Sequence, residues 1–134
     1  MERITLIATV LWILVSNQVA NAAPDGSFSL QVQTKFPWPI AASILGDKLE
    51  LKSRGRTKIV GTTKTKGVTK TKISGTANFS TDGTGGREGC NQKSTVTVTL
   101  KFEKDGSFKT GTAKGKCVRD NGKSGSFSGK VLLK

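Results

Sequence analysis

The chain contains no histidine, and that absence removes most of the acid–base and triad chemistry on which a small enzyme relies. It has two cysteines, Cys90 and Cys117, which without further soft ligands are too few for a metal site, so neither metal nor cofactor is expected. Catalysis would then need a serine–lysine or a carboxylate pair. No S-x-x-K signature occurs. The carboxylate pairs Asp82 with Glu88 and Glu103 with Asp105 fall in glycine-rich or turn sequence, and the chain reads as a protein that is not an enzyme. Phosphate-loop chemistry is absent too: 82–89, DGTGGREG, has no G-x-x-x-x-G-K-[ST] pattern and no helix after it, and is expected to be a loop.

The chain also lacks an apolar run long enough to cross a bilayer. Residues 4–15 number twelve, against the roughly 20 that a helix needs. They precede a polar stretch and Ala20-Asn21-Ala22, a small-x-small cleavage site, so residues 1–22 read as a secretory signal peptide and 23–134 as one mature domain. An uncleaved anchor is the competing reading, because Arg3 is the only charged side chain of positive sign before the run. The expected location is secreted, extracellular or periplasmic, with no membrane span after cleavage, and a monomer is expected. In such a compartment a disulfide persists, and Cys90–Cys117 is the pair available. By the chain-entropy argument this closure is worth about 3 to 4 kcal/mol. That matters because only 25 of the 112 mature residues are Phe, Leu, Ile, Val or Trp, a thin supply for a core.

What the chain has in quantity is basic charge. Lysine and arginine total 22 against nine acidic residues, for a net charge of +13; cleavage after Ala22 removes one of each sign and leaves the net unchanged.

The apolar residues fall on a period of two, which signals half-buried strands. Phe28, Leu30 and Val32 alternate with polar residues, as do Leu49 and Leu51 within 48–53, and Ile73, Gly75, Ala77 and Phe79. The clearest case is the hairpin between the cysteines. Val96, Val98, Leu100 and Phe102 alternate with Thr97, Thr99, Lys101 and Glu103, then Lys104-Asp105-Gly106 turns the chain. A three-residue loop sets Phe102 opposite Phe108 and places Gly106 where a left-handed residue is needed. Asn121-Gly122 predicts a further turn before a last strand over 124–133. Residues 40–45, between Pro39 and Gly46, are the one helical candidate, and the prolines of 36–39, FPWP, argue against a central strand there. The whole is an all-β domain of about seven strands, either an antiparallel sandwich or an up-and-down, partly open barrel. Glycines inside the strands, at 75, 111, 115 and 129, indicate close packing or corners.

Two constellations are candidate sites. Lys64, Lys66, Lys70 and Lys72 occupy even positions and Thr63, Thr65, Thr69 and Thr71 odd ones, so an extended chain puts lysines on one face and threonines on the other. As a hairpin centred on Gly67-Val68-Thr69, the same residues would set Lys66 against Lys70 and Lys64 against Lys72. With Lys58, these lysines form a candidate anion-binding face for a polyanionic surface or polymer, or for an acidic protein. The basic row has no interleaved aromatics, and sequence-specific nucleic-acid recognition is not expected. Lysines that keep a solvated edge from pairing would look the same. Trp38, held between Pro37 and Pro39, is a candidate ligand-stacking residue or partner anchor, or else a loop aromatic folded back onto the core. The alternative function is a small-ligand or inhibitor-type barrel in which the charge serves solubility or steering. Asn78-Phe79-Ser80 is a glycosylation sequon on an outward position.

Overall fold

The computed structural model describes residues 23–34, 37–55, 57–80, 94–118 and 122–134. The candidate signal peptide, Cys90 and the whole of 82–89, with Asp82 and Glu88, lie outside the described residues. So do Arg119, Asp120 and Asn121 of the expected turn, although Gly122 has the left-handed φ of 80° that such a turn uses.

Among the described residues eight antiparallel strands follow one another: β1 (Gly26–Gln33), β2 (Trp38–Leu45), β3 (Lys48–Ser53), β4 (Lys58–Thr69), β5 (Lys72–Ser80), β6 (Ser94–Phe102), β7 (Phe108–Val118) and β8 (Ser124–Leu133). They form one sheet in the order β3-β2-β1-β8-β7-β6-β5-β4. Every strand therefore lies beside its neighbours in sequence, with β8 closing onto β1, and the sheet curls until its two edges, β3 and β4, lie side by side. Of sandwich and barrel, the fold is a nearly closed up-and-down barrel.

The strand beyond the expected seven is β2, and it replaces the helix expected over 40–45. Its alternate residues Trp38, Ile40, Ala42 and Ile44 are buried, which a period of two achieves and a helix would not. Gly46, with φ 61°, serves the two-residue turn to β3 instead of ending a helix. Pro39 does lie in this interior strand, contrary to expectation. It is tolerated because the β3 ladder begins one residue later, at Ile40 opposite Ser53, so Pro39 has a strand neighbour only on the β1 side.

The inner face is apolar and continuous, contributed by Leu30, Val32, Ile73, Val96, Val98, Leu100 and Val131 among others. Two aromatic groups close its ends. Trp38 stacks on Phe79, with ring centroids 5.7 Å apart and planes 19° apart, and both meet Phe127 edge-on. At the other end Phe102 contacts Phe28 and Phe108, at 5.4 and 5.9 Å.

The β6–β7 hairpin has the expected register, Phe102 opposite Phe108, with Gly106 at φ 91°. The Gly106 N–H donates to the Glu103 carbonyl and the Glu103 N–H to the Ser107 carbonyl. β7 presents Gly111, Ala113 and Gly115 inward, and a side chain at Gly115 would strike the Thr95 carbonyl and the Phe127 ring. That close approach is what the in-strand glycines signalled.

A lysine face and a threonine seam

β4 carries its two kinds of residue to two different tasks. Thr63 and Thr65 point toward β3, where the Thr65 hydroxyl accepts a hydrogen bond from the Leu49 N–H (2.9 Å) and the Thr63 hydroxyl one from the Leu51 N–H (3.1 Å). These side chains bridge the seam where the ladder order ends at β3 and β4, giving edge N–H groups the acceptors they need. Gly75 makes room for this, since a Cβ there would fall 2.6 Å from the Thr63 methyl. The threonines are thus structural, and the lysines face the other way.

Lys58, Lys64, Lys66, Lys70 and Lys72 are all exposed, but neither arrangement expected for them occurs. The chain turns at Lys70-Thr71, with Thr69 opposite Lys72, and not at Gly67-Val68-Thr69. Lys66 therefore faces Ser74 and Lys64 faces Thr76, so the lysine-on-lysine pairs expected for a hairpin are absent. The physical reason is a bulge. Gly67, at φ 59°, shifts the phase by one residue, which sends Val68 inward against the core and Thr69 outward. The Ser74 hydroxyl donates to the Lys66 carbonyl across this irregularity (2.6 Å). A second irregularity between Val60 and Lys64, with Gly61 at φ 92°, separates Lys58 from the rest.

The lysines continue beyond β4. Successive ladders align Lys66, Ser74, Thr99, Thr112 and Lys130 in one line across five strands, and Lys64, Thr76, Thr97, Lys114 and Ser128 in the next. The Thr76 and Thr97 hydroxyls lie 3.3 Å apart. Strands β4 to β8 hold nine lysines (58, 64, 66, 72, 101, 109, 114, 116 and 130) and not one carboxylate. Lys101, Lys109, Lys114, Lys116 and Lys130 were not singled out from sequence. Their signal was present, because each occupies a polar position of an alternating strand, but their alignment depends on the ladder.

Trp38 is 8% exposed and belongs to the aromatic group at one end of the core. It is the folded-back aromatic of the two readings, with its ring face given to Phe79 instead of a ligand. Cys117 is buried on β7, while its candidate partner Cys90 lies outside the described residues. Asn78 is exposed, as its alternation required.

Glu103 and Asp105 are exposed in the β6–β7 turn. Asp105 accepts from the Ser107 hydroxyl (2.6 Å) and the Ser107 N–H (2.9 Å), and these bonds, the hydroxyl's foremost, hold its carboxyl below the usual range. That is the opposite of the upward shift a general acid needs. Among the described residues, a shallow depression of about 230 Å³ lies over β1 to β3, lined by Ser27, Ser29, Ala41, Ser43 and Lys52 with Phe28 and Ala42. Comparison with family models, curated proteins and solved structures finds no match for this chain.

Proposed function

We propose that the chain is a secreted binding protein, not an enzyme, whose basic outer face over β4 to β8 takes a polyanionic partner. The observation that supports this most is the composition of that face: nine lysines without a carboxylate, interleaved with serine and threonine. Such a field attracts a repeating anion at long range and releases its counterions on contact. A disulfide between Cys90 and Cys117 belongs to the same proposal, tying the sequence before β6 to the end of β7. Mass spectrometry of the exported protein without reduction checks both the bridge and cleavage after Ala22.

The functional test is retention on immobilised heparin, lipopolysaccharide and cell wall. Binding is expected at 50 mM salt, falling by orders of magnitude toward 200 mM. Failure to bind any of them at 50 mM overturns the reading. The alternative, a carrier with an enclosed apolar pocket, draws no support from an inner face filled by its own side chains.

A further inference from the structure

Two like charges face each other on the outer surface. The β5–β6 ladder sets Lys72 directly opposite Lys101, both exposed, on strands about 4.8 Å apart. Like charges so placed cost stability, and neither strand has a carboxylate to relieve them. The backbone holds them there. The Phe102 N–H donates to the Thr71 carbonyl (2.8 Å), extending the ladder into the β4–β5 turn, so only the ends of the two side chains are at liberty to swing apart.

Hydroxyl residues flank the pair, with Thr69 opposite Lys72 and Thr110 opposite Lys101. Lys70 is exposed in the adjoining turn, and the next line of residues begins with Lys66 and Ser74. Glu103, two positions after Lys101 on the same alternation, is the nearest carboxylate in sequence; it begins the turn, where its N–H donates to the Ser107 carbonyl, and Asp105 is engaged by Ser107.

From this juxtaposition we infer that Lys72 and Lys101 together seat one anionic group, a sulfate or carboxylate, of an acidic polysaccharide whose chain runs across the strands along the serine and threonine lines. The inference rests on the polyanion reading above and narrows it. An anion between two ammonium groups replaces one repulsion with two charge-assisted contacts, so binding is strongest where the unliganded barrel is electrostatically least satisfied. A polysaccharide fits better than a nucleic acid because all six aromatic residues among the described ones lie in the core or pack against it. Among the described residues the outer face therefore offers no ring on which a base could stack. It offers short hydroxyl side chains instead, which suit the hydroxyls of a sugar.

The test uses the mature protein, a heparin oligosaccharide and a single-stranded DNA as probes, and the variants Lys72→Ser and Lys101→Ser. Lys48→Ser/Lys52→Ser on β3 and Lys58→Ser/Lys64→Ser on β4 serve for comparison. Each of the first two is expected to lower heparin affinity several-fold and the slope of log K against log salt by about one. Each should also raise Tm without ligand by about 1 to 4 °C, as the repulsion is lost. The β3 variant should leave heparin binding unchanged.

Wild-type affinity in Lys72→Ser and Lys101→Ser, with loss in the β4 variant, overturns the paired site and leaves the polyanion reading standing. An unchanged or lowered Tm in both overturns the like-charge premise. Tighter binding of the DNA than of heparin at equal salt overturns the choice of polysaccharide. Absence of binding to every polyanion at 50 mM salt removes the wider reading as well.

Discussion

The barrel divides into two parts that solve the same solvation problem differently. β1 and β2 turn serine, glutamine and alanine outward and carry no lysine at all, while β3 mixes Lys48 and Lys52 with Glu50. β4 to β8 present lysine after lysine with no acid among them. The outer positions of β1 and β2 are thus mostly polar or small without being cationic. The charge on the second part is therefore a property added to the barrel and not one that the barrel demands, and it is what makes a partner of opposite sign the natural reading.

The two parts are also joined in two unlike ways. β1 and β8 share a ladder from Leu30 opposite Leu133 to Gln33 opposite Lys130. Across the seam from β3 to β4 the N–H groups of Leu49 and Leu51 instead find threonine hydroxyls. The double substitution Thr63→Val/Thr65→Val keeps volume and removes both acceptors from part-buried donors. A loss of about 2 to 5 kcal/mol in urea unfolding is expected, whereas Thr97→Val, on the outer face, should change stability little.

A second experiment sharpens the contrast of charge. Lys114→Ser/Lys116→Ser on β7 should weaken polyanion binding about tenfold at 50 mM salt and lower the salt slope by about two. The same double change at Lys48 and Lys52 should leave both quantities as they are, by affinity titration at several ionic strengths. Equal losses would mean that total charge matters and its placement does not.

The smallest effect concerns Asp105, the carboxylate in the turn that joins two lysine-bearing strands. Its folded pKa lies below the ordinary 3.8 because Ser107 donates to the ionised form. The stability it contributes is therefore fully present above that ordinary value and is lost as pH falls through the lowered folded one. The Tm gap between wild type and Asp105→Ala, clear at pH 5, should narrow below pH 3.8.

Much of the scaffold was legible because its information is local. The Phe102–Phe108 register followed from turn length and side-chain match alone, the bounds of β3 from its alternation, and those of β8 from the Asn121-Gly122 turn signal before it. β2 was misread because alanine, serine and proline dilute the signal of its four inward residues, while Gly46 suits a helix end as readily as a turn. The lysine face was half legible. Alternation pointed Lys64 and Lys66 outward, but the bulge at Gly67 resets the phase by one residue, and composition does not reveal where such a shift occurs. Lys72 against Lys101 is a relation between residues 29 positions apart in sequence, and it exists only once the ladder does. Trp38 posed a different difficulty: the same indole serves a core or a ligand, and burial alone distinguishes them.

The threonine bridge across the seam also bears on how these molecules behave toward one another. An uncovered strand border invites a border from a second molecule, and assembly then continues without a natural end. Here the Leu49 and Leu51 N–H groups are already committed within the molecule, and lysines at 64 and 66 repel an identical neighbour. The alternating pattern of β4 thus closes the barrel and withholds two donors from an incoming strand, so Thr63→Val/Thr65→Val is expected to raise light scattering at high protein concentration above that of the wild type.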